Sequence, residues 1–198
     1  MNKNRGGIET KEKKIIKNGI LADSSIIYGK KMKWLPLLAY LFANICLVTK
    51  SGEVILVLTE ERKSKNIYVI PGGELLYSLS ETFKTAVIRE AGKEEMGIKL
   101  NSKKIKIFDA QIGYPIKGSP YEEKGITSVI VSYLYFITDK ELKKIRINAV
   151  PEKGCDIVKV LVKPVPDILQ DIEDGKINVY PALKETLAKL DLFFREGN

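Results

Sequence analysis

The sequence predicts an α/β or α+β sandwich, in which one sheet of mixed strands packs against helices. Short apolar runs bounded by turn residues recur along the chain, as is typical of strands. One segment with apolar residues at helical spacing lies between these runs, and a second such segment closes the chain. A chain of 198 residues with 44% hydrophobic residues has room for one sizeable core, so we expect one main domain.

The strands and helices are predicted from the period of the apolar residues. Residues 44–48 and 54–58 form a predicted hairpin, because Gly52 lies in the turn between them. The further predicted strands are residues 67–70, 105–110, 128–138 and 157–162, and the predicted helices are residues 79–95, 166–174 and 181–194. Ser78 and Glu81 have the spacing of a capping box at the start of the first helix. The apolar stretch 34–48 is shorter than the roughly 20 residues that span a bilayer, so we interpret it as a buried strand region.

The residue types that are absent exclude several classes of site. The chain has no histidine, which excludes imidazole general bases, Ser-His-Asp triads and the common histidine-containing zinc sites. Cys46 and Cys155 are far apart and have no metal-ligand or redox spacing, so we assign them structural roles. This cysteine usage fits a reducing compartment and predicts a cytoplasmic protein without membrane attachment. Any chemistry must therefore depend on carboxylates, lysines, hydroxyl groups and bound metal.

The positive charge is concentrated near the N-terminus. Residues 1–33 hold nine lysines or arginines against three acidic residues, a net charge of +6 out of +8 for the whole chain. We therefore divide the chain into a basic extension, residues 1–33, and a domain, residues 34–198. A basic segment can bind RNA or another polyanion, or it can simply be solvated, and both interpretations remain open at this stage.

Three carboxylates near the end of the first predicted helix provide the best candidate site. Glu90, Glu94 and Glu95 lie near one helix end, and the Pro71-Gly72-Gly73 turn precedes that helix in the sequence. Carboxylate oxygens are the ligands that Mg²⁺ and Mn²⁺ prefer, and substrate phosphates often complete the coordination. The alternative is a solvated acidic helix face, and the carboxylates alone do not exclude it.

The order of residues around these carboxylates resembles the Nudix box. In that box a glycine, a glutamate and an Arg-Glu…Glu-Glu-x-Gly string occur at fixed intervals, and the interval between Glu81 and Arg89 is the same here. The residues with counterparts in the box are Gly73, Glu81, Arg89, Glu90, Glu94, Glu95 and Gly97. The similarity extends over residues 43–194. It implies a Nudix-type α/β/α sandwich with a mixed sheet.

The resemblance also implies a reaction and a set of site residues. Nudix enzymes hydrolyse a diphosphate linked to another group, with Mg²⁺ or Mn²⁺ as cofactor. Glu90, Glu94 and Glu95 would then be both metal ligands and catalytic residues, and Arg89 would orient one of the glutamates. Gly72, Gly73 and Glu81 would complete the cofactor-binding turn. The loop 113–125 resembles the loop of ADP-ribose pyrophosphatases that carries the base, which makes Glu122 and Glu123 candidates for that role.

One extra residue between Glu90 and Glu94 departs from the family pattern. The family ligands fall at i, i+3 and i+4, on one helix face, whereas Glu90, Glu94 and Glu95 fall at i, i+4 and i+5. Either Glu95 is rotated off the face, or a π-bulge near residues 91–93 absorbs the extra residue. We favour the bulge, because Glu94 and Glu95 followed by x-Gly-Ile match the family better than Lys93 and Glu94 do, and Gly92 lies where a distortion causes least crowding. A second departure, two extra residues between Gly73 and Glu81, only lengthens a loop.

The substrate follows less directly from the sequence. Tyr114 and Pro115 match markers of two different branches, the dinucleoside polyphosphate enzymes and the ADP-ribose enzymes. We favour ADP-ribose or a nucleotide sugar, with dinucleoside polyphosphates and RNA 5′ ends or caps as alternatives. A Nudix-fold module that binds nucleotide or RNA without catalysis is the alternative from another class, and a homodimer is also open. Isopentenyl diphosphate isomerase is disfavoured because its metal site is rich in histidine.

Overall fold

The strands of the protein were assigned from a computed structural model that describes residues 20–21, 25–28, 31–34, 37–76, 81–113, 127–150 and 156–197. They are β1 (Ile20–Leu21), β2 (Ser25–Tyr28), β3 (Lys31–Trp34), β4 (Leu37–Val48), β5 (Glu53–Thr59), β6 (Ile67–Tyr68), β7 (Gly72–Glu74), β8 (Lys106–Gly113), β9 (Thr127–Phe136), β10 (Ile157–Pro164) and β11 (Asn178–Val179). The six predicted strands are therefore all present, with shifted ends.

The main sheet is mixed and is built around β4. Its order is β10-β5-β4-β9-β8, and only the β4–β9 pair is parallel. β7 and β5 pair with the edge of β4 opposite β9, and β1 pairs with the first two residues of β4, Leu37 and Leu38. β1 lies within the segment that we assigned to the basic extension. Two short pairs, β2–β3 and β6–β11, lie outside this sheet.

Helices lie on both sides of the sheet. They are α1 (Phe83–Val87), a π-helix that continues it (Ile88–Glu95), α2 (Asp139–Leu142), α3 (Val165–Glu173) and α4 (Pro181–Arg195), with a short 3₁₀-helix (Glu60–Lys65) after β5. None of the helices in the described ranges is long and apolar enough to cross a membrane.

Two apolar cores fill the space between the sheet and these helices. Alternate residues of a strand point to opposite faces, and β4 shows this period: Ile45 and Leu47 belong to one core, while Cys46 and Val48 belong to the other. The first core includes residues of α1 and the π-helix, and the second includes residues of α3 and α4. The α/β/α sandwich with a mixed sheet is therefore confirmed. Cys46 is fully buried, and burial raises the pKa of its thiol to about 12, as expected of a structural cysteine.

The start of the first helix differs from the prediction. The helix begins at Phe83 instead of residue 79, because the side chain of Thr82 accepts a hydrogen bond from the Thr85 N–H and closes a capping box with Thr85. Glu81 is not the partner of a cap, since its carboxylate accepts from the Leu76 N–H at 2.9 Å. Ser78 lies outside the described residues. The predicted capping box of Ser78 and Glu81 was therefore wrong for Glu81.

A buried polar cluster fixes α4 against the edge strand β8. Asp109 accepts hydrogen bonds from Lys189 at 2.7 Å, from Gln111 at 2.7 Å and from Thr186 at 3.1 Å. Burial by itself would raise the pKa of Asp109, but the three donors outweigh it and lower the pKa below its usual value. The carboxylate is thus held ionised between the sheet and the last helix.

Candidate active site

The helix that carries the three glutamates is wound as a π-helix along eight residues, Ile88–Glu95. The Met96 N–H donates to the Ala91 carbonyl, five residues back, at 3.2 Å. Gly92 is buried, and a Cβ there would lie 3.3 Å from the Leu100 side chain and 3.2 Å from the Ile98 carbonyl oxygen. The expected π-distortion is therefore confirmed, and it extends beyond the predicted residues 91–93.

The Gly72–Gly73 turn packs against the end of this helix. Gly72 has a φ of +147°, and a Cβ at this position would lie 2.2 Å from the Ala43 carbonyl oxygen. Its N–H donates to Glu95 Oε2 at 2.8 Å. Gly73 is closed in by Glu90, because a Cβ there would lie 2.5 Å from Glu90 Cδ. At Gly72 a side chain would collide with backbone, so only glycine fits there, whereas at Gly73 a side chain would displace the Glu90 carboxylate. The turn therefore lies against two of the three carboxylates.

On a regular α-helix Glu95 would point away from the site. In the π-helix its carboxylate instead faces the Gly72 turn. Burial is the largest influence on its carboxyl group and raises the pKa to about 8. The Gly72 hydrogen bond and the charge of Arg62 lower the pKa, whereas the charges of Glu90 and Glu94 raise it. The three glutamates are therefore close enough to influence one another electrostatically. A partly buried carboxyl beside two further carboxylates is an environment in which a bound cation is favoured.

Arg89 holds the other acidic side chains of the site. Its Nε and Nη2 donate to the two carboxylate oxygens of Glu81, both at 2.9 Å, and Nη2 also donates to the Glu74 carbonyl at 3.0 Å. Its Nη1 donates to Glu90 and, at 3.1 Å, to Glu94. The hydrogen bond from Arg89 is the main reason that the pKa of Glu81 is lowered. This bidentate contact is the kind that fixes a guanidinium and a carboxylate in one geometry.

The donor set suits a hard divalent cation, although the side chains do not form a finished metal site. In the part of the chain that the structure describes, no three acidic or cysteine side chains lie close enough together to hold one ion. Arg89 is the reason, since its Nη1 lies between Glu90 and Glu94. Carboxylate oxygens are nevertheless the ligands that Mg²⁺ requires, and one or two of them suffice when phosphate completes the shell. Glu122 and Glu123 lie outside the described residues, so their role stays a prediction.

A small cavity on the other side of Gly72 was not predicted from the sequence. Its volume is about 60 Å³, which is room for a few water molecules or part of a planar group. Asn44, which lines the cavity, pairs with Gly72 in the sheet, so the cavity adjoins the glycine turn. The polar residues that line it are Asn44, Gln111, Ser132, Tyr180 and Thr186. They come from three strands, the last helix and the residue that caps its start, so no local sequence pattern unites them.

Arg62 is a second residue that the sequence analysis missed. It lies on the 3₁₀-helix, and its Nη1 donates to Thr59 Oγ1 at 2.9 Å and pairs with Glu61 at 2.5 Å. Its Nε is buried and donates to no other group of the described protein. Because its charge also acts on Glu95, a cation from the β5 side faces the glutamates. An arginine directly after a buried strand was the available signal.

The comparisons with known proteins identify the fold. No protein-family model matches the sequence, and no curated protein is detectably similar to it. Solved structures do match: an Ap4A hydrolase binary complex from C. elegans has a TM-score of 0.55 at 16% identity, over 79% of this chain and 98% of that chain. The MutT protein from Methanosarcina mazei Go1 has a TM-score of 0.54 at 16% identity, over 83% of this chain and 99% of that chain. The chain has the Nudix fold.

A third structure of the same fold was solved with a nucleotide. The NUDIX domain of Shewanella oneidensis NrtR, complexed with ADP ribose, has a TM-score of 0.53 at 17% identity, over 75% of this chain and 86% of that chain. At this level of identity the similarity establishes the Nudix fold and leaves the activity to be argued from the site.

Proposed function

We propose that the protein is a divalent-cation-dependent hydrolase that cleaves the diphosphate of a nucleoside diphosphate linked to another group. ADP-ribose and nucleotide sugars are the favoured substrates. The observation that carries the proposal is the convergence of Glu90 and Glu95 on the Gly72–Gly73 turn, with Glu94 beside them. A solvated acidic face would not hold the Glu95 carboxylate on the Gly72 N–H or pack two glycines against the glutamates. We further propose that the protein acts in the cytoplasm.

The residues present fit one or more Mg²⁺ or Mn²⁺ ions. Such an ion, when bound, offsets charge on the phosphoryl oxygens and lowers the pKa of the attacking water. Glu95 would be a fixed ligand, because the Gly72 N–H and the surrounding protein already hold one of its oxygens. Glu90 and Glu94 would turn from Arg89 toward the ion, while Arg89 keeps its bidentate contact with Glu81. Arg89 is therefore assigned an orienting role, as the box resemblance implies.

The diphosphate would lie across the Gly72–Gly73 turn, between the glutamates and the cavity. Gly72 adjoins both, because its N–H donates to Glu95 and it pairs with Asn44, which lines the cavity. The side chains of the cavity offer amide and hydroxyl groups beside apolar ones, a combination that suits a base or a ribose. At about 60 Å³ the cavity holds part of such a group, so the remainder of a substrate would lie over the open surface.

A substrate panel tests this proposal directly. The full chain is incubated with ADP-ribose, nucleotide sugars, dinucleoside polyphosphates, nucleoside triphosphates and capped RNA, with Mg²⁺ or with Mn²⁺, and product masses are measured. We expect cleavage within the diphosphate, giving AMP and ribose 5-phosphate from ADP-ribose. Faster cleavage of dinucleoside polyphosphates or capped RNA would retain the reaction and replace the substrate. Absence of any cleavage with either metal would contradict the proposal.

A binding module without catalysis is the second candidate, and one observation favours it. Arg89 pairs with Glu90 and Glu94, so these two carboxylates already have a cationic partner within the protein. In that case ADP-ribose would bind without being cleaved, and removal of divalent cations would leave its affinity unchanged. Equilibrium binding of ADP-ribose in chelator separates the two candidates.

RNA binding by the basic residues 1–33 and homodimer formation stay predictions of the sequence.

A further inference from the structure

We propose that Asn148 is a positioning residue that holds the backbone of Glu95, and hence its carboxylate, against the Gly72 turn. This inference rests on the proposed function for its catalytic consequence, but its structural part can be tested separately. Asn148 lies about fifty residues beyond the box in sequence, on an irregular segment between α2 and β10. No pattern in the sequence links it to the glutamates.

The last carbonyl groups of a helix have no partner within the helix and must find one elsewhere. Here every second residue of the segment 146–150 supplies an N–H donor. Arg146 donates to the Met96 carbonyl at 2.8 Å, Asn148 to the Glu95 carbonyl at 2.9 Å and Val150 to the Glu94 carbonyl at 3.0 Å. The carbonyl groups of both Glu94 and Glu95 are therefore tied to one external segment. A π-helix is rare and short in proteins, so such external bonds help to determine its geometry.

Asn148 fixes this segment to the sheet. Its φ is +56°, a left-handed conformation that asparagine tolerates better than most residues. Its side chain makes a reciprocal pair of hydrogen bonds with Ile157, the first residue of β10: Oδ1 accepts from the Ile157 N–H at 2.6 Å, and Nδ2 donates to the Ile157 carbonyl at 3.0 Å. Asn148 thus bonds the Glu95 carbonyl through its backbone and β10 through its side chain.

The connection continues to the opposite side of the site. Ile157 pairs with Thr59 at the end of β5, and Thr59 accepts a hydrogen bond from Arg62, whose charge acts on Glu95. Loss of the Asn148 side chain would therefore free the end of the π-helix from β10. The Glu95 carboxylate would then lose its fixed position relative to Gly72, and a bound cation would lose a preorganised ligand.

A matched pair of variants separates positioning from general stability. Asn148→Gly keeps the left-handed backbone and removes both side-chain bonds. Asn66→Gly is the control, because Asn66 has a φ of +51° and its side chain also bonds a distant backbone, the Lys176 carbonyl at 2.8 Å. Within the described residues, the hydrogen bonds of Asn66 do not reach the π-helix. Asn148→Asp retains the acceptor for the Ile157 N–H and is the conservative variant if Asn148→Gly does not fold.

Three measurements are made on each variant: hydrogen exchange of the Gly72 N–H, affinity for Mn²⁺ alone by calorimetry, and kcat and KM on the best substrate of the panel. For Asn148→Gly we expect Gly72 exchange at least about tenfold faster and Mn²⁺ affinity about 10- to 100-fold weaker. We expect a loss mainly in kcat, with partial recovery in Asn148→Asp. Asn66→Gly should leave all three readouts within about twofold of the unmodified protein.

Unchanged Gly72 exchange in both Asn148 variants would overturn the positioning role, whatever the activity. Equal effects of Asn148→Gly and Asn66→Gly would also overturn it, because the loss would then be one of general stability. The two proposals can also fail separately. If Gly72 exchange is faster in Asn148→Gly while the unmodified protein neither binds Mn²⁺ nor hydrolyses any substrate of the panel, the positioning of Glu95 is supported and the proposed function is refuted.

Discussion

At the scale of single residues, the site depends on the absence of side chains at the Gly72–Gly73 turn as much as on the glutamates. Gly72 lies so close to β4 that its N–H can reach Glu95, and a side chain would collide with backbone atoms. A collision with backbone is costly because the sheet cannot shift without losing hydrogen bonds. The sequence identified both glycines as part of the turn, but not which atoms they approach.

Gly72→Ala should destabilise the fold much more than the same change at Gly175. The added Cβ at Gly72 would lie 2.2 Å from the Ala43 carbonyl oxygen, whereas at Gly175, with a φ of +69°, it meets nothing within 4 Å. Gly175→Ala therefore carries backbone strain alone, about 1 kcal/mol, and Gly72→Ala carries about 1–3 kcal/mol or more. Urea denaturation of the two variants measures the difference. Equal free energies of unfolding would show that the turn does not pack as described.

At the scale of elements, the π-helix explains how an extra residue is accommodated in the box. The helix turns more slowly per residue than an α-helix, so Glu95 at i+5 still reaches the turn from the same end as Glu90. The extra residue could be recognised from the sequence because the box pattern predicts the spacing. The extent of the π-helix could not, since it depends on carbonyl partners in residues 146–150.

Deleting Lys93 should convert the π-helix to a regular α-helix while preserving the site. Lys93 is exposed, and its removal places Glu90, Glu94 and Glu95 at the i, i+3 and i+4 intervals of one helix face. We expect the variant to fold and to retain hydrolysis within about tenfold of the unmodified protein, because the ligands keep a shared face. Hydrolysis of the panel substrate and circular dichroism measure the two outcomes. A folded variant without activity would show that the π geometry itself is required.

The contact between α4 and β8 should make stability depend on acid. The pKa of Asp109 is lowered in the folded protein, so this carboxylate stabilises the fold above the usual carboxyl range and that contribution is lost as pH falls through the lower folded value. Asp109→Asn should therefore reduce stability at neutral pH and flatten its decline toward about pH 3. Urea midpoints at several pH values measure this. If the urea midpoint of the variant falls with decreasing pH as steeply as that of the unmodified protein, Asp109 does not contribute to the loss of stability in acid.

At the scale of the whole molecule, the sequence predicted the layers and missed the contacts between distant segments. The strands were recognisable because their apolar residues are buried on both faces of the sheet. The first helix begins later than predicted. The apolar period included Leu79, but it carries no information about the N-cap, which is Thr82. Arg62, Asn44 and Asn148 were missed for a different reason, since their partners lie far away in the chain and become neighbours only in the folded sheet.

The central claim is that Glu95 takes part in cation-dependent hydrolysis, and one comparison tests it most directly. Hydrolysis of the best panel substrate is measured for the unmodified protein, Glu95→Gln and the control Glu173→Gln, each with Mg²⁺ and with excess chelator. Glutamine can still accept from the Gly72 N–H, so the variant should fold, and Glu173 is an exposed residue of α3. We predict a loss of about 10² or more in kcat for Glu95→Gln, little change for Glu173→Gln, and no turnover in chelator. Full activity of Glu95→Gln, or undiminished turnover without divalent cations, would contradict the account.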